Sequence, residues 1–320
     1  MDLQPQPSNA AVRDSPELRL DGSWETHGRS PNTAAVVALL GIGAIFFNAE
    51  SILAAVAIGI KILFSGVPEA EGGVLDRLAA SMKFYGGPIR LAVLISEFAF
   101  LLVPALWLVK RWHSSDVRGY IRLKNGAIVE ILIAVLATLA VIPTGEFIAD
   151  NLVKLMHIPA RLLEINAEVF TSRSELEFGW LIIVVCVTPA ICEEVFFRGF
   201  IQRTFERTMG WKSVLLIGFL FGLFHFQPLG LITLSILGIL FGYFFYRSKS
   251  LYPSMAAHFT NNLVAIAVLY RPDRTVETEM VSTQQLPIWL VGVTLLVGVG
   301  LLFLYQRVTV RHFSVTAQQV

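Results

Sequence analysis

The chain has 320 residues, 55% of them hydrophobic and 15% charged, with a mean hydropathy of +0.65. A soluble globular protein carries roughly 45–50% apolar and about 25% charged residues. The excess falls in stretches of about 20 residues separated by short charged links, which excludes an ordinary soluble domain and predicts an all-α polytopic membrane helix bundle. A net charge of +1 gives no reason to expect nucleic acid or an acidic partner. The two cysteines, Cys186 and Cys192, lie in one apolar stretch. Six residues apart on a helix, they do not share a face and offer no disulfide framework.

Residues 1–33 are polar, hold four prolines and contain no apolar run. They read as a disordered cytoplasmic tail and not as a signal peptide, whose basic-then-apolar order is missing. A transmembrane helical domain over 34–306 follows, with eight candidate spans at about 34–60, 90–109, 127–143, 180–198, 213–227, 229–246, 251–270 and 286–306. Residues 307–320 form a second cytoplasmic tail. Link 110–126 holds Lys110, Arg111, Arg118, Arg122 and Lys124 against Asp116, and link 199–212 holds Arg203, Arg207 and Lys212 against Glu206. Arg247 and Lys249 mark link 247–250, and Arg307 and Arg311 the C-terminal tail. Link 144–179 is acidic and carries an amphipathic pattern broken at Pro159, the mark of an interfacial helix. Basic links thus alternate with non-basic ones, as eight spans with both termini cytoplasmic require. Trp107, Trp112, Trp180, Trp211 and Trp289 fall at span ends, where an aromatic belt belongs. Gly218 and Gly222, like Gly238 and Gly242, have the GxxxG spacing of close helix packing.

An ionisable residue at the bilayer centre costs about 2.5–3.5 kcal/mol on insertion scales and is a functional candidate by default. Three clusters stand out: Glu193, Glu194 and Arg198 in the fourth span, Phe221 to His225 in the fifth, and His258 to Asn262 in the seventh. Glu194 and Arg198, four apart, share a helix face and can pair; His258 and Asn262 share one likewise. Glu193 is turned about 100° from Glu194 and can face another neighbour. The plain alternative is a structural polar network holding helices together. The full set, in three otherwise apolar spans, is costly for that purpose alone.

Glu193-Glu194-x-x-x-Arg198, then Phe221-x-x-x-His225, then His258-x-x-x-Asn262 resemble the three ordered motifs of the CAAX prenyl endopeptidase family, also called CPBP or Abi. The resemblance covers about residues 180–270. It implies an intramembrane endopeptidase acting on membrane-associated or lipidated peptides or proteins. In that reading Glu193 and His225 activate a water, His258 and Asn262 bind the oxyanion, and Glu194 with Arg198 supports the site. A carboxylate in an apolar wall suits a general base. Oxyanion stabilisation by side-chain donors needs no metal, so no cofactor is favoured. Glu193, His225 and His258 could also hold Zn²⁺ with an open fourth position, although no HExxH occurs.

Depth decides whether these groups can meet. A fourth span ending at Arg198 would leave Glu193 only about 8 Å from the cytoplasmic face, with His225 about 20 Å deep. The motif therefore predicts a longer fourth helix, through Phe200, Ile201 and Phe205 to an edge near Arg207; a helix ending near residue 199 would count against the site. Two other readings stand beside the protease: an ion-coupled transporter, since buried Glu, Arg and His also make proton relays, and an inactive membrane scaffold. The location implied is the plasma membrane in a bacterium, or the endoplasmic reticulum in a eukaryote.

Overall fold

The computed structural model describes residues 18–68, 72–124, 126–270 and 286–317. Among these residues the regular structure is helical. After a short turn of helix α1 (Ser23–Thr26) come α2 (Pro31–Ser65), α3 (Val74–His113), a one-turn α4 (Val117–Tyr120), α5 (Ile128–Leu155) and α6 (Ala160–Ala167). The chain continues as α7 (Glu175–Met209), α8 (Lys212–Phe224), α9 (Leu231–Ser248), α10 (Tyr252–Val268) and α11 (Ile288–Ala317). By length and composition α2, α3, α5, α7, α9 and α11 can each cross a membrane. The other two expected spans are the shorter α8, of 13 residues, and α10, of 17. The chain is an all-α integral membrane protein. Its outer surface carries many exposed apolar side chains, among them Leu40, Phe64, Trp107, Leu296 and Phe303, as a lipid-facing surface does.

α7 is the central element. Of its apolar stretch 61% is buried, against 17% for the peripheral α11. One aromatic-rich core joins α2, α3, α7 and α8 through Phe46, Leu101, Phe196, Phe197 and Phe221; a second joins α5, α9, α10 and α11 through Ile133, Phe241, Phe244, Ala257 and Tyr305. α8 and α9 form a close antiparallel pair. A Cβ added to Gly218 would stand 2.5 Å from the Ile239 nitrogen, and one on Gly238 would stand 2.6 Å from the Gly218 carbonyl oxygen. The glycine spacing read from the sequence is this contact.

The basic links gather at one end of the bundle. Arg122 grips Glu206 with two hydrogen bonds of 2.8 Å, and Lys249 joins the same carboxylate. Arg247 reaches the Gln306 carbonyl at 2.9 Å. The opposite end is tied by Arg90 to Glu177 at 2.7 Å and by Arg161 to Asp76 at 3.0 Å. The alternation of basic and non-basic links thus corresponds to two ends of the molecule. In the acidic link, α5 runs on to Leu155 and α6 starts directly after Pro159, so the expected break is at that proline.

The N-terminal segment differs from the expected disordered tail. Residues 1–17 lie outside the described residues, but from residue 18 the chain is docked on the link after α3. The Gly22 N–H donates to the His113 carbonyl at 3.0 Å, Asp21 accepts from Ser115, and Trp24 packs on Trp112 at 4.9 Å between ring centroids. Glu25 accepts from Arg207 through both oxygens and meets the His113 ring. Composition pointed to disorder because these contacts are made to residues about 90 or more positions away, which no local pattern records.

Candidate active site

α7 is continuous from Glu175 to Met209, the longer helix that the motif requires. At 1.5 Å per residue Glu193 lies about 24 Å along the axis from Met209, and His225 about 20 Å from Lys212. The two therefore reach the same depth. They line one cavity of about 490 Å³ with His258, Asn261 and Asn262 from α10. The rest of the wall is largely apolar, with Phe46, Phe197, Phe221, Phe224, Phe241 and Leu237 among its residues. Small apolar enclosures with a few convergent polar groups are the usual form of ligand sites.

The helix period of α7 sends its two glutamates to different partners. Glu193 faces the cavity, and its Oε2 is buried without a hydrogen-bond partner. Glu194 is fully buried on the other side, where it accepts from Arg198 Nη1 at 2.8 Å, meets His258 Nδ1 at 2.9 Å, and accepts from the Ser254 hydroxyl. Arg198 is also fully buried; its Nη2 donates to the Gly238 carbonyl at 3.1 Å and its guanidinium lies 4.3 Å from the centroid of the Phe221 ring. Glu194 and Arg198 therefore stand behind the cavity and hold His258, while Glu193, His225, His258 and Asn262 border it.

Each hydrogen bond fixes what the opposite side of a side chain can do. His225 Nδ1 lies 2.8 Å from the Phe221 carbonyl, which only accepts. The proton is therefore on Nδ1, and in the neutral ring Nε2 is an acceptor. His225 ends α8, and the next residue, Phe226, turns the chain with φ +50°. His258 presents its Nδ1 to a carboxylate, so it donates there and its ring stacks on Phe241 with centroids 5.2 Å apart. A neutral His258 thus offers a lone pair at Nε2, and only the imidazolium offers an N–H. Asn262 Nδ2 donates to the Val185 carbonyl at 2.8 Å, and its Oδ1 accepts from Asn261 at 3.1 Å. One N–H of its amide is left over. Val185 lies in the π-helical stretch Ile182–Val187, just before Pro189, which has no N–H to donate.

Two cavity residues are absent from the sequence motifs. Glu50 of α2 and Glu97 of α3 line the same wall as Glu193, and Glu97 is 97% buried, with 3% exposure. The rule that flags ionisable groups inside apolar spans applies to both; neither belongs to a motif that would draw notice. Among the described residues, no three His, Cys, Asp or Glu side chains come together in a group that could hold a metal ion. Glu193, His225 and His258 share the cavity without forming such a ligand set.

Residues 175–264 match the family model described as Rce1-like, Type II CAAX prenyl endopeptidase Rce1-like. The matched segment contains Glu193, Glu194, Arg198, His225, His258 and Asn262. No curated protein and no solved structure gave a match.

Proposed function

We propose, from the match of residues 175–264 to the CAAX prenyl endopeptidase family model, that this chain is an intramembrane endopeptidase in which Glu193 and His225 activate a water for attack on a peptide carbonyl. The observation that carries the reading is the convergence of Glu193, His225, His258 and Asn262, from three helices, on one cavity. Glu193 and the Nε2 lone pair of His225 take the proton of the water between them. The leftover N–H of Asn262 and the imidazolium form of His258 stabilise the oxyanion, with the Glu194 carboxylate holding that ring and Arg198 balancing the charge of Glu194. Proton return to the leaving amine completes hydrolysis. The apolar wall accepts the hydrophobic part of a membrane-associated or lipidated substrate, and the basic end of the bundle faces the cytoplasm.

Cleavage of quenched prenylated and unmodified membrane peptides by the protein in liposomes tests this. Glu193→Ala and His225→Ala are each expected to lower kcat by about a hundred- to ten-thousandfold, as loss of a general base does. Activity that survives a strong chelator supports the water-activating glutamate; activity lost on chelation and restored by Zn²⁺ overturns it in favour of a metalloenzyme. Cleavage unchanged in both variants sinks the site.

A further inference from the structure

Glu97 opens a π-helical turn of α3, Glu97–Leu102, which packs against α2 and against the Thr188–Glu193 turn of α7. Its carboxyl lines the same cavity wall as that of Glu193. Yet Glu97 Oε2 and Glu193 Oε2 are both buried and neither has a donor among the described residues. Two ionised carboxylates only accept, and in an apolar wall they cannot sit side by side at full charge. The nearby groups do not resolve this. Glu50 of α2 is a further acid, and Cys192 is a buried thiol. His225 has its Nδ1 proton on Phe221, and Arg198 pairs with Glu194. One proton between the two carboxyls satisfies both orphaned oxygens.

We propose that Glu97 is a protonated carboxyl that donates a hydrogen bond to Glu193 and so acts as a positioning residue for it. The bond holds one oxygen of Glu193 and leaves the other for the attacking water. It also lets Glu193 keep its charge beside a neutral neighbour in place of a second anion. No proton is transferred in this role; Glu97 keeps its own throughout. The functional part of the proposal rests on the reading of Glu193 as the base. The shared proton does not.

Infrared difference spectra of the protein in liposomes, in H₂O and D₂O, read the proton directly. The expected result is a protonated-carboxyl band that disappears in Glu97→Gln and changes frequency in Glu193→Gln. No band lost in Glu97→Gln, or a band indifferent to Glu193→Gln, overturns the proposal. Kinetics on a quenched farnesylated CAAX peptide supply the second arm. Glu97→Ala is expected to lower kcat by about ten- to a hundredfold with KM unchanged, the worth of one hydrogen bond to a charged group. Glu97→Gln, whose amide N–H donates in its place, is expected to restore most of that loss. Equal losses in the two variants overturn the donor role. If the wild type cleaves nothing, or cleaves as Glu193→Ala does, it is the protease reading that has failed, and the infrared result alone decides on the shared proton.

Discussion

His258 is held at Nδ1 by a buried carboxylate, and that single bond sets the chemistry open to Nε2. Asn262 is more plainly a donor, because its remaining N–H has no partner among the side chains around it. Asn262→Ala is expected to lower kcat by about a hundred- to a thousandfold while KM stays within a few-fold, since an oxyanion donor acts mainly in the transition state; steady-state kinetics on the peptide panel check this. Arg198 has a structural weight of another kind. Arg198→Ala would leave Glu194 charged, buried and uncompensated, and is expected to destabilise the fold by about 3–5 kcal/mol, read as a lowered midpoint of thermal unfolding in detergent. The sequence made Glu194 and Arg198 legible as a pair because four residues make one helical turn. It could not show that the pair's third member is His258, 64 residues away. Glu97 and Glu50 were legible only as isolated polar residues, since the contact that gives them meaning lies between helices far apart in the chain.

At the scale of single helices, α7 shows how local irregularity makes a site. Pro189 cannot donate to the helix ladder, and π-helical stretches over Ile182–Val187 and Glu194–Gln202 flank its turn. Such stretches are common at functional sites, because they re-aim side chains within a continuous helix. Length and apolar pattern predicted a helix here, and motif depth predicted its continuation to near Arg207. The π turns left no trace in periodicity, because tertiary packing and not local propensity decides them. The α8–α9 pair was legible from its glycines. Gly238→Leu would drive a side chain into the Gly218 carbonyl and is expected to destabilise the protein by about 1–3 kcal/mol, with cleavage and thermal unfolding falling together. Since Gly238 also presents its carbonyl to Arg198, the same change is expected to loosen the Glu194–His258 support.

Across the whole molecule, the basic end is closed by the segment that composition marked as a tail. Burial alone would raise the Glu25 carboxyl, but the hydrogen bonds from His113 and Arg207 outweigh it and hold the group at about 2, against an ordinary value of 4.5. Its folded value lies below its unfolded one, so the stabilisation is present above pH 4.5 and is lost as the pH falls from there through about 2. Tryptophan emission from the Trp24–Trp112 pair is expected to change over that window and to be flat in Glu25→Gln. The bundle itself was readable from hydropathy and from alternating link charge, which act on whole segments. The docking of residues 18–27 was not, because it depends on polar partners that come together only once the helices are in place.

That dependence on order reaches the cavity as well. Glu50 and Glu97 belong to the first two long helices, and Glu193 and His225 to later ones. During synthesis these two acids enter the bilayer about 100 residues or more before the groups that will surround them exist. Lipid does not solvate a bare carboxylate, so an acid that enters ahead of its partners is taken up most readily uncharged. On this view the first hairpin carries its protons into the membrane as cargo, and the finished site inherits one of them. The biogenesis of the protein, and not only its catalysis, would then be sensitive to what occupies position 97.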